Sequence, residues 1–144
     1  EERQHSVRNG ILSFAKEPEI VLVHDAVRPL VTSHIITQVI EESARHGAAV
    51  VGVRVKDTIK LEEGGFYAKT LDRSKLWTVQ TPQGFRFEIL RKAHAAAQRS
   101  AFIGTDEASL VERLKFPVKI VEGDYRNIKI TTDDDLKLAQ LMMK

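Results

Sequence analysis

The chain has 144 residues, 42% of them hydrophobic and 29% charged, which suits a single domain with its own core and excludes a disordered segment. Its 22 basic and 20 acidic residues leave a net charge of +2, so there is no general case for a nucleic-acid partner and anion binding must come from local clusters. There is no cysteine, which excludes a disulfide framework, a thiolate zinc site and a cysteine nucleophile and fits a cytoplasmic location, and no apolar run reaches the ~20 residues of a membrane span.

Helical and strand patterns alternate along the chain, which predicts an α/β domain with a mostly parallel sheet. The polar opening Glu1-Glu2-Arg3-Gln4-His5 carries no signal-peptide pattern. Val7, Ile11 and Phe14 at helical spacing predict a helix over 6–14, stopped before Pro18. Residues 20–23 form a short apolar run that reads as a buried parallel strand, followed abruptly by His24-Asp25-Ala26-Val27-Arg28-Pro29. Thr32 or Ser33 caps a helix running to about His46, with Ile35, Ile36, Val39 and Ile40 on its buried face and Gly47 as its stop. Residues 48–55 read as a second buried strand. The charged stretch 56–80 turns at Glu63-Gly64-Gly65 and predicts an antiparallel β-arm projecting from the main sheet. Thr81-Pro82-Gln83-Gly84 reads as a loop. Helices over 87–99 and from Thr105-Asp106 to near Leu114 follow, then strands over 117–121 and 127–130. Thr132 caps the last helix, with Asp135 completing a capping box.

In open α/β sheets ligands bind at the carboxyl ends of strands, and three such places hold suitable residues. Asp25 and Arg28, directly after a buried strand, suit a hydroxyl and a phosphate; the plain alternative is a salt bridge that holds a turn. Lys129 lies in the apolar run 127–130, where a buried ammonium needs an anionic partner such as a phosphate; the alternative is an edge strand with Lys129 in water. Thr105 at a helix start suits a phosphate oxygen, or is simply the cap. The arm's Lys56, Lys60, Lys69, Arg73 and Lys75 read by default as a solvated charged hairpin, and Tyr67 and Trp77 as packing residues of the arm. His5, His34, His46 and His94 read as surface helix residues. No GxSxG, Walker A or GxGxxG motif occurs, so the residues alone reach an α/β domain with phosphate-suited strand ends.

Six segments in register resemble the 2-C-methyl-D-erythritol 4-phosphate cytidylyltransferase family of the non-mevalonate isoprenoid pathway. They are Glu2-Arg3-Gln4-His5-Ser6-Val7, then residues 21–29 ending in His24-Asp25-Ala26-Val27-Arg28-Pro29, and Val55-Lys56-Asp57-Thr58-Ile59-Lys60. They continue with residues 76–85, which hold Thr81-Pro82-Gln83-Gly84, then Thr105-Asp106-Glu107-Ala108-Ser109, and residues 122–131, which end in Asn127-Ile128-Lys129-Ile130-Thr131. Val27 stands where the family's motif usually has alanine.

The resemblance implies a Rossmann-like nucleotidyltransferase fold and attack by a polyol phosphate on the α-phosphorus of CTP, with release of pyrophosphate. It implies Mg²⁺ or another divalent cation on the triphosphate. Lys129 would neutralise charge at the reacting phosphates, Asp25 would bind hydroxyls with Arg28 as its companion, and Thr105 would lie near the substrate phosphate. Ser6, Asp25 and Ala26 would face the nucleotide. The arm would interlock two subunits in a homodimer and carry Thr58, Arg73 and Thr81 to the partner's substrate pocket. The family's opening strand and Gly-rich loop, whose arginine and lysine hold the CTP phosphates, have no counterpart in these 144 residues, so the chain alone is expected to be a poor catalyst. Two alternatives stay open: a ribitol 5-phosphate enzyme of the same superfamily, and a non-catalytic dimerising or nucleotide-sensing module.

Overall fold

The computed structural model describes residues 3–143. In chain order they form α1 (Arg3–Leu12), β1 (Ile20–Val23), α2 (Ser33–His46), β2 (Ala48–Arg54), β3 (Lys60–Glu63), β4 (Phe66–Thr70), a 3-10 turn (Arg73–Lys75), β5 (Trp77–Arg86), α3 (Phe87–Arg99), α4 (Glu107–Arg113), β6 (Lys119–Glu122) and α5 (Asp133–Met142). The main sheet has the order β1-β5-β2-β6. β5 runs antiparallel to both β1 and β2, and β6 runs parallel to β2, so β1, β2 and β6 share one direction and β5 alone is reversed. The expectation of a mostly parallel sheet therefore holds in strand direction, with one antiparallel strand set inside it.

Alternation along the strands assigns the layers. Ala48 and Val50 of β2, with Val21 of β1, pack in one apolar cluster with α3 and α4 through Phe87, Leu90, Leu110 and Val111. Ala49 and Val51 face the other way, against Ile35 and Val39 of α2. Both faces of β2 are thus covered by helices, which is why it reads as one continuous apolar run. α2 begins and ends as the sequence predicts: the Thr32 hydroxyl accepts from the Ile35 amide at 3.3 Å, and Gly47 closes the helix at φ 88°, a left-handed conformation that favours glycine. Its buried face is narrower than predicted, since Ile40 is 41% exposed.

Five expectations need correction. β1 is not a fully buried strand with parallel neighbours: it stands at the sheet edge, pairs with antiparallel β5, and buries Val21 alone of its four residues. α1 begins and ends earlier than residues 6–14. Residues 81–84 are not a loop but the buried centre of β5, which contains the cis Thr81–Pro82 bond. Proline is tolerated there because the β2–β5 register passes from Val50↔Gln83 to Gly52↔Val79: β5 bulges, and Pro82 owes no ladder hydrogen bond. Residues 127–130 are not a strand but a loop whose Ile130 amide donates to Val27 O at 2.8 Å. The cap of α4 is Asp106 rather than Thr105.

The arm is a separate two-stranded sheet of β3 and β4 joined by Gly64 (φ 59°) and Gly65 (φ 86°), the positive-φ pair of a tight hairpin. Every residue of both strands is exposed. Trp77 and the residues after it belong to β5 and pair with β2, and the Arg54 guanidinium lies 4.2 Å over the Trp77 ring. At the other end of the chain the predicted capping box is present, with Thr132 and Asp135 exchanging hydrogen bonds at the start of α5.

Candidate active site

β1 stops at Val23 where β5 bulges, and the chain then turns through His24–Arg28. That turn is pinned from β5. The Thr81 hydroxyl accepts from the Asp25 amide at 3.0 Å and lies 3.0 Å from His24 Nδ1. His24 Nε2 lies 3.1 Å from Arg28 O. A carbonyl only accepts, so Nε2 carries a hydrogen; in the neutral ring Nδ1 then accepts from the Thr81 hydroxyl. Thr81 is buried on β5, outside the arm, and lines a cleft of its own chain.

The Asp25 carboxylate faces three cations. Lys129 Nζ lies 3.2 Å and Arg28 Nε 3.4 Å from Oδ2, and Arg3 Nε lies 3.4 Å from Oδ1. Burial alone would raise the Asp25 carboxyl, but Lys129, Arg3 and Arg28 together outweigh it and hold it below its ordinary value. Arg28 also donates to Asn127 O at 2.7 Å. Asn127 is fully buried and donates to Thr81 O at 2.9 Å and to Gln80 Oε1 at 3.2 Å, while Gln80 donates to Asp124 O at 2.9 Å. These bonds tie the loop that bears Lys129 to β5, so the lysine's place is set two residues away by a buried amide.

The loop before α4 closes the third side. Gln4 brackets it, donating to Phe102 O at 3.1 Å and accepting from the Gly104 amide at 2.9 Å. Gln83 of β5 donates to Asp106 at 2.8 Å and accepts from the Ala108 amide at 3.2 Å. Arg3 donates to buried Glu107 at 2.5 Å. Thr105 is left exposed on the rim.

These elements enclose a cleft of about 320 Å³ whose wall includes Arg3, Asp25, Arg28, Thr81, Thr105 and Lys129. Five of the residues singled out in the sequence thus converge there, although they lie up to 104 positions apart. Ser6 is exposed on α1 one turn from Arg3, and Ala26 is exposed in the turn; neither is in the cleft wall. Thr58 and Arg73 lie outside it too, beside a second hollow of about 460 Å³ that shares Arg28, Gln80 and Lys129 as its wall. There Arg73 donates to Lys56 O at 2.7 Å, and the Lys56 ammonium sits 3.4 Å from the Tyr125 ring centre. Sequence reasoning did not assign Arg3, Gln83, Glu107 or Asn127 a role; the available signal was their place inside the same motifs as Ser6, Thr81, Thr105 and Lys129 respectively.

Chemically, one carboxylate among three cations at a strand end suits a ligand that carries both phosphate and hydroxyl groups. It does not suit a divalent ion held by side chains. Among the described residues no three metal-ligating side chains cluster, Asp25 is already matched by cations, and Asp106 caps α4 through the Ser109 amide at 2.9 Å. Also among the described residues, no helix is long and apolar enough to cross a membrane.

Comparison with known proteins agrees with this geometry. The family described as IspD: 2-C-methyl-D-erythritol 4-phosphate cytidylyltransferase matches residues 1–144. The 2-C-methyl-D-erythritol 4-phosphate cytidylyltransferase of Geobacillus kaustophilus is 54% identical over 143 residues, which are 99% of this chain and 62% of that protein. The crystal structure of the Thermus thermophilus 2-C-methyl-D-erythritol 4-phosphate cytidylyltransferase superposes with a TM-score of 0.88 at 41% identity, covering 98% of this chain and 68% of that one. A 4-diphosphocytidyl-2C-methyl-D-erythritol synthase from Anaerococcus prevotii gives a TM-score of 0.92 at 29% identity, covering 99% and 64%. The chain therefore spans a little under two thirds of the length of the curated relatives it matches.

Proposed function

This chain belongs to the 2-C-methyl-D-erythritol 4-phosphate cytidylyltransferase family, and on that premise we propose that it forms the substrate side of an enzyme that transfers a cytidylyl group from CTP to 2-C-methyl-D-erythritol 4-phosphate. The observation that carries the reading is the convergence of Arg3, Arg28 and Lys129 on Asp25 at the end of β1. A phosphate oxygen of the polyol attacks the α-phosphorus of CTP; the bond to the β-phosphate bridging oxygen breaks, and pyrophosphate leaves with that electron pair. Both reactants are anions, so the protein's task is to bring them together and neutralise charge. Lys129 and Arg28 take the substrate phosphate, Thr105 contacts it from the rim, and Asp25 accepts hydroxyl donors. Ser6 and Ala26 stand at the nucleotide's side. Mg²⁺ enters this reading with CTP, as part of the substrate, and no step is routed through a side-chain metal site.

The arm belongs to the same reading. It joins two subunits in a homodimer and carries Thr58 and Arg73 toward the partner's cleft. Its support is an ordered hairpin on which Phe66 and Tyr67 are 80% and 79% exposed, an apolar surface that gains stability only by covering something else. The setting of this chemistry is the cytoplasm.

The test is pyrophosphate release by a chain of the full length its relatives have, with CTP and Mg²⁺, offered methylerythritol phosphate and ribitol phosphate in parallel. Release with the former alone is expected, and Lys129→Ala and Arg28→Ala should each reduce it by orders of magnitude. Release with ribitol phosphate alone would move the substrate and keep the site; none with either would leave a binding module.

A further inference from the structure

We infer that Glu107 is a positioning residue that acts through Arg3: it anchors the guanidinium so that this fixes the Oδ1 edge of Asp25 for the reaction proposed above. Arg3 is the only one of the three cations around Asp25 that reaches Oδ1; Arg28 and Lys129 both sit on Oδ2. Without Arg3 the carboxylate is held along one edge and free to swing about it. Arg3 itself projects from the first turn of α1 and is partly exposed, so it needs a second holding point. Glu107 Oε2 supplies that point at 2.5 Å.

Stability does not account for this pair. Glu107 is fully buried, its Oε1 has no hydrogen-bond partner among the described residues, and burial raises its carboxyl above the ordinary value despite the opposing charge of Arg3. A buried carboxylate with one half-exposed partner is a poor way to hold a helix, and an uncharged residue of the same shape would serve α4 at least as well. The helix already has its cap in Asp106, and the loop before it is already bracketed by Gln4 and Gln83. What only the charged pair supplies is a fixed direction for the guanidinium: one nitrogen on Glu107, another on Asp25. The catalytic consequence rests on the proposed function; the geometric claim does not.

The experiment is a double-mutant cycle with Glu107→Gln and Arg3→Met in the full-length protein, read in two ways. Carbon NMR of labelled aspartate follows the Asp25 carboxyl through its titration. Its midpoint should move up in Glu107→Gln, by a comparable amount in Arg3→Met, and no further in the double variant. Turnover should fall roughly tenfold in kcat/KM in each single variant, with no further loss when they are combined. Thermal melting of Glu107→Gln should be unchanged or higher, which a merely structural role would not give. An Asp25 titration that ignores Glu107→Gln, or shifts that add in the double variant, would overturn the inference. If the unsubstituted protein releases no pyrophosphate, the functional reading fails, while the titration still decides whether Glu107 works through Arg3.

Discussion

His94 shows how much one side chain can depend on its surroundings. It is 4% exposed on α3, and neither ring nitrogen has a partner among the described residues. Burial first, and the charge of Arg8 second, lower its pKa from 6.5 to about 4. The sign follows directly. The unfolded chain binds the proton at a higher pH than the folded one, so the stability due to neutral His94 is complete above about pH 6.5 and is lost as pH falls toward 4. Against His94→Leu, the unsubstituted chain should therefore lose about 2 kcal/mol of relative stability between pH 7.5 and pH 5. Denaturant melts of both proteins at the two pH values measure this, and an unchanged difference would refute it. The expectation of a surface histidine was avoidable: Phe87, Leu90 and Ala97 bracket position 94 on one helical stripe. The residues of the cleft were more legible, because Asp25, Arg28, Thr105 and Lys129 sit in recognisable motifs. What the sequence hides is the partnership among them, since Arg3 meets Glu107 across 104 positions.

Elements were legible where one local signal dominated. α2, β2, α3 and the α5 cap follow from apolar periodicity and capping residues. β5 was not, because Pro82 and Gly84 imitate a loop, and each has a tertiary reason to stand in a strand. Pro82 sits at the bulge. Gly84 sits where α2 presses on the sheet: a Cβ there would lie 2.2 Å from Ser43 Oγ, 2.7 Å from Val39 Cγ1 and 2.9 Å from Leu22 Cδ2. Val39 and Ser43 are fully buried and have nowhere to retreat. Gly84→Ala should thus push α2 off β5 and cost about 1–3 kcal/mol. Gly10, by contrast, lies inside α1 with open space around its would-be Cβ, so Gly10→Ala should be neutral or stabilising by up to ~1 kcal/mol. Thermal melts of the two variants side by side check the contrast; equal effects would mean that the α2–β5 contact is slack. The strand predicted over 127–130 failed for the complementary reason. Its apolar run is short, and buried Asn127 spends its hydrogen bonds on β5 rather than on a ladder.

At the scale of the molecule, the cleft is complete in neither sequence order nor a single element: the β1 turn, the β5 bulge, the α4 approach and the loop to α5 each supply one wall. Thr58 and Arg73 stand apart from it, near the root of a hairpin whose Phe66 and Tyr67 find no cover among the described residues. If the arm lends Arg73 to a second subunit, as proposed, the two kinds of defect can complement. Consider full-length chains carrying Arg73→Ala mixed with chains carrying Lys129→Ala, unfolded and reassembled together. In a mixed dimer the site with an intact Lys129 receives its Arg73 from the partner and works, whereas the other site lacks both residues. Random pairing makes half of the dimers mixed, each with one working site of two, so activity should return to about a quarter of the unsubstituted level. Each variant reassembled alone should remain near its own low activity. If Arg73 instead serves the cleft of its own chain, every site in the mixture lacks one residue or the other, and mixing restores nothing. The same preparations, run by size before assay, separate a failure to form dimers from a failure of the swapped arm.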